Sequence, residues 1–291
     1  MKANLCFILC ITAVILFCSC NGPRYIYSSS PLVSPVAGSK GSTSIDAAYF
    51  SHINTSNGFD STANKDNAFS FDVSNMLTKK IKFFVHGDFK REKNIFPLLT
   101  DSAAINIYNG GFDSASVATQ RQSAGLGIVY FFNSRGRGKR IVPGIAGSVY
   151  LHQVKLKESG LLANNSYERF FNANQLSFSL QGHLLFKINK RINVTYITRI
   201  ILVKFMTAKT DFTKEEKEIT GLHRDGKSGI YPCFIGGYAS YQPLRNIPLY
   251  CNFQFFNDVA LWAQATAKYD PPRSNIKGSG VAIGLSYSFK K

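Results

Sequence analysis

The gaps in this chain alternate. Segments of period-two hydropathy are joined first by a long connection and then by a short one, from about residue 43 to the end. The short connections are Thr78 to Lys80, Asn133 to Lys139, Asn189 to Lys190, and Pro243 to Asn246; the long ones fall near 53–66, 91–121, 155–174, 205–228 and 258–278. A meander of antiparallel hairpins, tight at one end and open at the other, produces that rhythm.

The segments themselves alternate in the way a strand with one apolar face must. Phe69, Phe71 and Val73 interleave with Ser70, Asp72 and Ser74. Ile81, Phe83, Val85 and Phe89 share a face opposite Lys82, His86, Asp88 and Lys90. Residues 175–188 set Leu176, Phe178, Leu180, Leu184 and Phe186 against Ser177, Ser179, Gln181 and His183, and 279–289 put Val281, Ile283, Leu285, Tyr287 and Phe289 against Gly, Ala and Ser. The segments 43–52, 122–132, 140–154, 191–204 and 229–242 are less regular; Arg199 lies in the middle of one, and Pro232, near the end of another, predicts a bulge or a strand start there.

A transmembrane strand needs roughly 9–11 residues with apolar side chains on one face. The fold expected is all-β: an antiparallel up-and-down transmembrane β-barrel of about ten strands over 43–291, with short turns at one rim and long loops at the other. At 45% hydrophobic and 13% aromatic residues, the chain is too apolar for disorder, and no long apolar run makes it a helical membrane protein.

The N-terminus carries Lys2, an apolar run from Leu5 to Phe17 broken by Thr12, and then Cys18-Ser19-Cys20. That is a secretory signal peptide over 1–19, too short for a membrane-spanning helix. Leu16-Phe17-Cys18-Ser19-Cys20 resembles the bacterial lipoprotein signal, and the resemblance implies that Cys20 is acylated, as by palmitate, and becomes the mature N-terminus. Ordinary signal cleavage is the alternative. Residues 20–42, rich in Ser, Pro and Gly, suit a flexible tether between lipid and barrel. Cys233 and Cys251 are the other cysteines of the mature chain; counted from the turn at 243–246 they do not stand opposite each other, so a disulfide between them is the minor reading.

At the other end, GLSYSF before Lys290 and Lys291 resembles the terminal strand of outer-membrane barrels, with Tyr287 and Phe289 in the places of its alternating aromatics. This implies recognition by the barrel-insertion machinery. Localisation in the bacterial outer membrane follows, with both termini periplasmic, and outer-membrane lipid as the surrounding partner.

The formal charge is +17, and the signal peptide argues against nucleic acid as its cause. Much of the charge sits at the short turns, where Lys79, Lys80, Arg135, Arg137, Lys139, Arg140, Lys190 and Arg191 form a candidate periplasmic basic rim. It either attracts anionic headgroups or keeps the hairpin ends wet.

A ten-stranded barrel is narrow, and its inward charges must pair. Asp72, Lys82, His86, Asp88, His183 and Arg199 are the candidate lumen network, read first as a structural polar plug and second as an ion or proton path. No cofactor motif is present, and neither HExxH nor CxxC offers a metal site. His52, His152 and His223, placed at strand tops and in a loop, bring a rim site with Asp258 to mind, but no Asp-Asp or Asp-His doublet supports catalysis and the chain is expected not to be an enzyme.

The loops 91–121, with Ile95, Phe96, Leu98 and Leu99, and 205–228, with Glu215-Glu216-Lys217-Glu218, are candidate contacts for an unknown surface partner. The expected function is that of an outer-membrane β-barrel lipoprotein of structural or surface-binding type. A narrow channel or transporter with a charged lumen, and a periplasmic lipoprotein whose soluble barrel binds an apolar ligand, are the alternatives.

Overall fold

The computed structural model describes residues 39–53, 65–96, 112–132, 141–162, 165–213, 228–244, 246–258 and 279–289. They form ten strands: β1 (Thr43–Ile53), β2 (Lys65–Met76), β3 (Ile81–Phe96), β4 (Phe112–Phe131), β5 (Ile141–Leu162), β6 (Asn165–Lys187), β7 (Ile192–Thr210), β8 (Ser228–Tyr241), β9 (Leu249–Asp258) and β10 (Ser279–Phe289). Each pairs antiparallel with its neighbours in sequence, and β1 pairs with β10 from Thr43↔Phe289 to Ile53↔Ser279, closing the barrel. Closure leaves no free sheet edge among them.

Side-chain parity fixes which face is which. Phe69, Phe71, Val85, Leu126, Ile128, Leu151, Phe178, Leu180, Phe253 and Ile283 are exposed on the outside, whereas Ser70, Asp72, Lys82, His86, Arg121, Gln181 and Asn252 are buried within. A continuous outward apolar belt over a polar interior is the arrangement of a barrel surrounded by lipid. It is the reverse of a soluble barrel with an apolar cavity.

The turns close with local chemistry. Thr78 Oγ1 accepts from the amides of Lys80 and Ile81 at 3.1 and 3.0 Å, and Asn189 Oδ1 accepts from those of Arg191 and Ile192 at 2.7 and 2.9 Å. Gly41, at φ 78°, donates its amide to the Met76 carbonyl just before β1. Lys79, Lys80, Lys190 and Arg191 thus share one rim with the start of β1 and the end of β10, while Arg135, Arg137, Lys139 and Arg140 lie outside the described residues, as does Cys20. Cys251 is a free thiol on the outer face, in register with Tyr241.

The other rim departs from expectation. Residues 155–174 are strand almost throughout: β5 runs to Leu162 and β6 starts at Asn165. Likewise β3 and β4 cover 91–96 and 112–121, and β7 covers 205–210, so each segment read as a partner-binding loop begins as strand. The hydropathy changes there because the outward residues turn polar, at Gln153, Lys155 and Lys157, but the period of two continues. Ladder pairing ends later than the apolar belt. Residues 97–111 and 214–227 lie outside the described residues.

Register shifts mark three irregularities, one of them between Arg199 and Ile201, where β8 advances from Phe234 to Tyr231. The extra residue falls at Pro232-Cys233, as a proline that cannot donate to the ladder requires.

Candidate functional site

Inside the barrel the side chains stack in layers. Met76, Phe84, Val129, Phe131, Val142, Ala146 and Leu185 form an apolar layer next to the short turns. Val154, Leu156, Phe171, Ala173, Phe205 and Phe212 form another near the far end of β5 to β7. Between them lies a polar band.

The band is built by register. Asp72 of β2 stands opposite His86 of β3, whose Nδ1 lies 2.7 Å from Asp72 Oδ1 and whose Nε2 lies 3.1 Å from Asp88 Oδ2. Asp88 Oδ1 in turn accepts from Arg121 Nη2 and Ser123 Oγ of β4, each at 3.1 Å. His152 of β5 then bridges two hydroxyls, with Nδ1 2.7 Å from Ser123 Oγ and Nε2 2.6 Å from Ser177 Oγ of β6. On the other side, Ser286 of β10 donates to Asp46 of β1 and accepts from Asn252 of β9. Lys82 lies where the charges of both Asp46 and Asp72 act on it. The band therefore runs through β9, β10, β1, β2, β3, β4, β5 and β6.

On the remaining two strands, apolar bulk stands beside the buried polar side chains of Thr195 and Arg199 of β7 and Ser240 of β8. Ile197 of β7 and Tyr238 of β8 pack in one cluster with Phe50, Ala68 and Ala282 of β1, β2 and β10, which places that contact across the lumen. The Lys90 ammonium sits 5.7 Å from the Phe50 ring centre. Tyr150 stands edge-on to His86 and stacks with His152, at centroid separations of 5.5 and 5.9 Å.

Of the six lumen residues expected from the sequence, Asp72, His86 and Asp88 bond directly, Lys82 joins them through charge, and Arg199 is buried on β7 in register with Gln181. His183 stands apart. It is buried against Phe131 at 5.4 Å in the apolar layer, neither ring nitrogen has a hydrogen-bond partner, and Gly144 leaves room for its ring. Arg121, Ser123, His152 and Ser177 escaped the sequence reading as network members. His152, expected at a strand top, lies ten residues below the end of β5. Extending the parity of Leu126 and Ile128 back past residue 122 would have turned Arg121 and Ser123 inward.

Chemically, Ser177 Oγ and His152 Nε2 stand at a nucleophile-to-base distance, and His152 Nδ1 leads through Ser123 to Asp88. All four side chains are buried, so the chain of bonds ties the wall together and has no open face toward a substrate. Among the described residues no group of three or more His, Cys, Asp or Glu stands as a metal site.

No protein-family model and no curated protein matches the chain. Solved structures similar to it include the translocator domain of the autotransporter NalP from Neisseria meningitidis, at 11% identity and a TM-score of 0.46 over 99% of this chain and 96% of that one. The attachment invasion locus protein Ail of Yersinia pestis is similar at 11% identity and a TM-score of 0.32, over 86% and 99% of the two chains. The KdgM porin, solved with disordered oligogalacturonate, is similar at 10% identity and a TM-score of 0.34, over 85% and 99%.

Proposed function

We propose that this chain is a bacterial outer-membrane β-barrel lipoprotein of structural or surface-binding type, with a sealed lumen and no catalytic role. The observation that carries the reading is the burial of the lumen charges. Lys82, His86, Arg121 and Arg199 are each only 2% exposed, although a conducting pore needs its polar wall to be wet. The Phe50, Ile197 and Tyr238 contact supports the same reading, because it fills lumen space with apolar side chains.

In this reading Cys20 bears the lipid, the short basic turns and both ends face the periplasm, and the barrel-insertion machinery assembles the chain in outer-membrane lipid. No nucleic acid takes part. The surface role falls to the rim with the longer strands.

Planar-bilayer recording of the purified protein tests it. The expected trace stays at baseline, with no unit conductance at any applied voltage. Discrete steps that vanish in Arg199→Gln would instead favour the charged-lumen channel.

A further inference from the structure

The outer face of β3 to β5 changes character within one residue pair. Phe89, Gln122 and Gln153 are register partners at the edge of the apolar belt, and the next outward row is Arg91, Gln120 and Lys155, followed by Lys93, Ala118 and Lys157. Two cations on β3 thus face two on β5 across a small neutral strip on β4. Neighbouring strands lie about 4.8 Å apart and alternate residues about 6.7 Å, so the four charges frame a patch of about 10 by 7 Å. All four side chains are exposed, and with Phe170 they line a groove of about 810 Å³.

The acids lining the groove are engaged already. Glu92 holds Lys90 at 3.2 Å, Glu168 holds Lys157 at 2.7 Å, and Asp211 accepts from the Phe170 amide at 2.7 Å. Among the described residues none of Arg91, Lys93 and Lys155 is bonded to a carboxylate; Arg91 leans over the Phe89 ring at 5.1 Å, where the belt ends. A solvated charge face explains scattered lysines, but not two paired rows set directly on the boundary of an apolar belt. Lipid packed on that belt brings its headgroup to this height, and phosphate is the headgroup chemistry that a cluster of one Arg and three Lys recognises.

We propose that this groove is a lipid headgroup site: Arg91 and Lys93 on one side and Lys155 on the other, with Lys157 exchanging its exposed Glu168 partner for the ligand, hold the two phosphates of a bisphosphorylated membrane lipid whose chains lie on the belt below. The proposal rests on the membrane-spanning reading and adds a specific lipid to it. Commitment to a lipid, rather than to a soluble anionic partner, comes from the position of the rows at the belt edge.

The test is native mass spectrometry of the full-length protein released from micelles, with a diglucosamine bisphosphate lipid as probe. The same lipid without phosphates, and a quadruple Arg91→Gln, Lys93→Gln, Lys155→Gln, Lys157→Gln variant, are the comparisons. Wild type is expected to retain the bisphosphate lipid at least tenfold better than either comparison, and to lose it as salt rises. Equal retention of the dephosphorylated lipid, or undiminished retention by the variant, overturns the site. So does stronger competition by soluble anionic glycan than by lipid. Faster gel migration before boiling, checked on the same samples, separates the two levels: its absence from wild type sinks the barrel reading as well, whereas its presence without phosphate selectivity sinks this site alone.

Discussion

Asp88 takes more hydrogen bonds than any other carboxylate of the band, from His86, Arg121 and Ser123, while Ser177 closes the chain at its far end with one bond to His152. The two positions therefore differ in what their loss leaves behind. Removing Asp88 takes the carboxylate away from the buried Arg121 guanidinium and from His86 Nε2, and breaking a buried charge pair from one side costs about 3–5 kcal/mol. Removing the Ser177 hydroxyl deletes one neutral bond and leaves the buried His152 Nε2 without it, at a cost of about 1–3 kcal/mol. Asp88→Ala is expected to unfold at clearly lower urea than Ser177→Ala, read from the fraction of the folded, faster-migrating band in an unboiled gel. Equal midpoints would mean that the band fills space without its charges mattering. Of this band, Asp72, His86 and Asp88 were legible because they alternate with Phe71, Val73 and Val85 inside two cleanly alternating strands, β2 and β3. Asp46 and Arg121 were not, since each sits where the sequence pattern is weaker and only its register partner fixes its direction.

Strands were legible from the sequence wherever lipid and lumen supply contrast. β2, β3 and β10 begin or end within a few residues of where the alternation suggested, and the short turns at Thr78 to Lys80 and at Asn189 to Lys190 fall as expected. β5 and β6 were cut short by the same logic, because a strand that continues past the membrane exchanges apolar outward residues for polar ones and looks like a loop in hydropathy, although its ladder is unbroken from Ile141↔Phe186 to Leu162↔Asn165. The belt edge can be located by substitution. Val149 and Gln153 both face outward on β5, four residues apart, on either side of Leu151. An arginine at mid-belt costs about 2–4 kcal/mol and one near the interface about 0–1 kcal/mol. Val149→Arg is therefore expected to lower the unfolding free energy by about 2–4 kcal/mol, and Gln153→Arg by less than about 1 kcal/mol, in urea titrations of the protein refolded into lipid vesicles. A comparable loss at both sites would move the belt edge above Gln153 and take Lys155 away from the headgroup level.

At the scale of the molecule, stability rests on a ring that has to close. Nine of the strand pairs join neighbours in the chain, and only β1 with β10 brings its two ends together, across eleven register pairs. That contact has the highest sequence separation and hence the largest loop-closure cost of the ten pairings. The seam is also tightly fitted. Gly284 of β10 stands opposite Ala48 of β1, and a Cβ there would come within 2.5 Å of the Ala47 carbonyl oxygen and 2.9 Å of Ala48 Cβ. Backbone on one side cannot give way as a flexible side chain would. A branched side chain at 284 must either push β1 and β10 apart or leave the ring open, exposing two strand edges to detergent and to other chains. Wild type is expected to run faster before boiling than after, and to keep that difference in a Cys20→Ala variant that stays in the membrane fraction. Gly284→Val is expected to reach the same boiled position while losing the fast band. A fast band of wild-type intensity in Gly284→Val would show that closure tolerates a widened seam, and would place the stability of the ring in the polar band and the apolar layers rather than in the fit of its last pair.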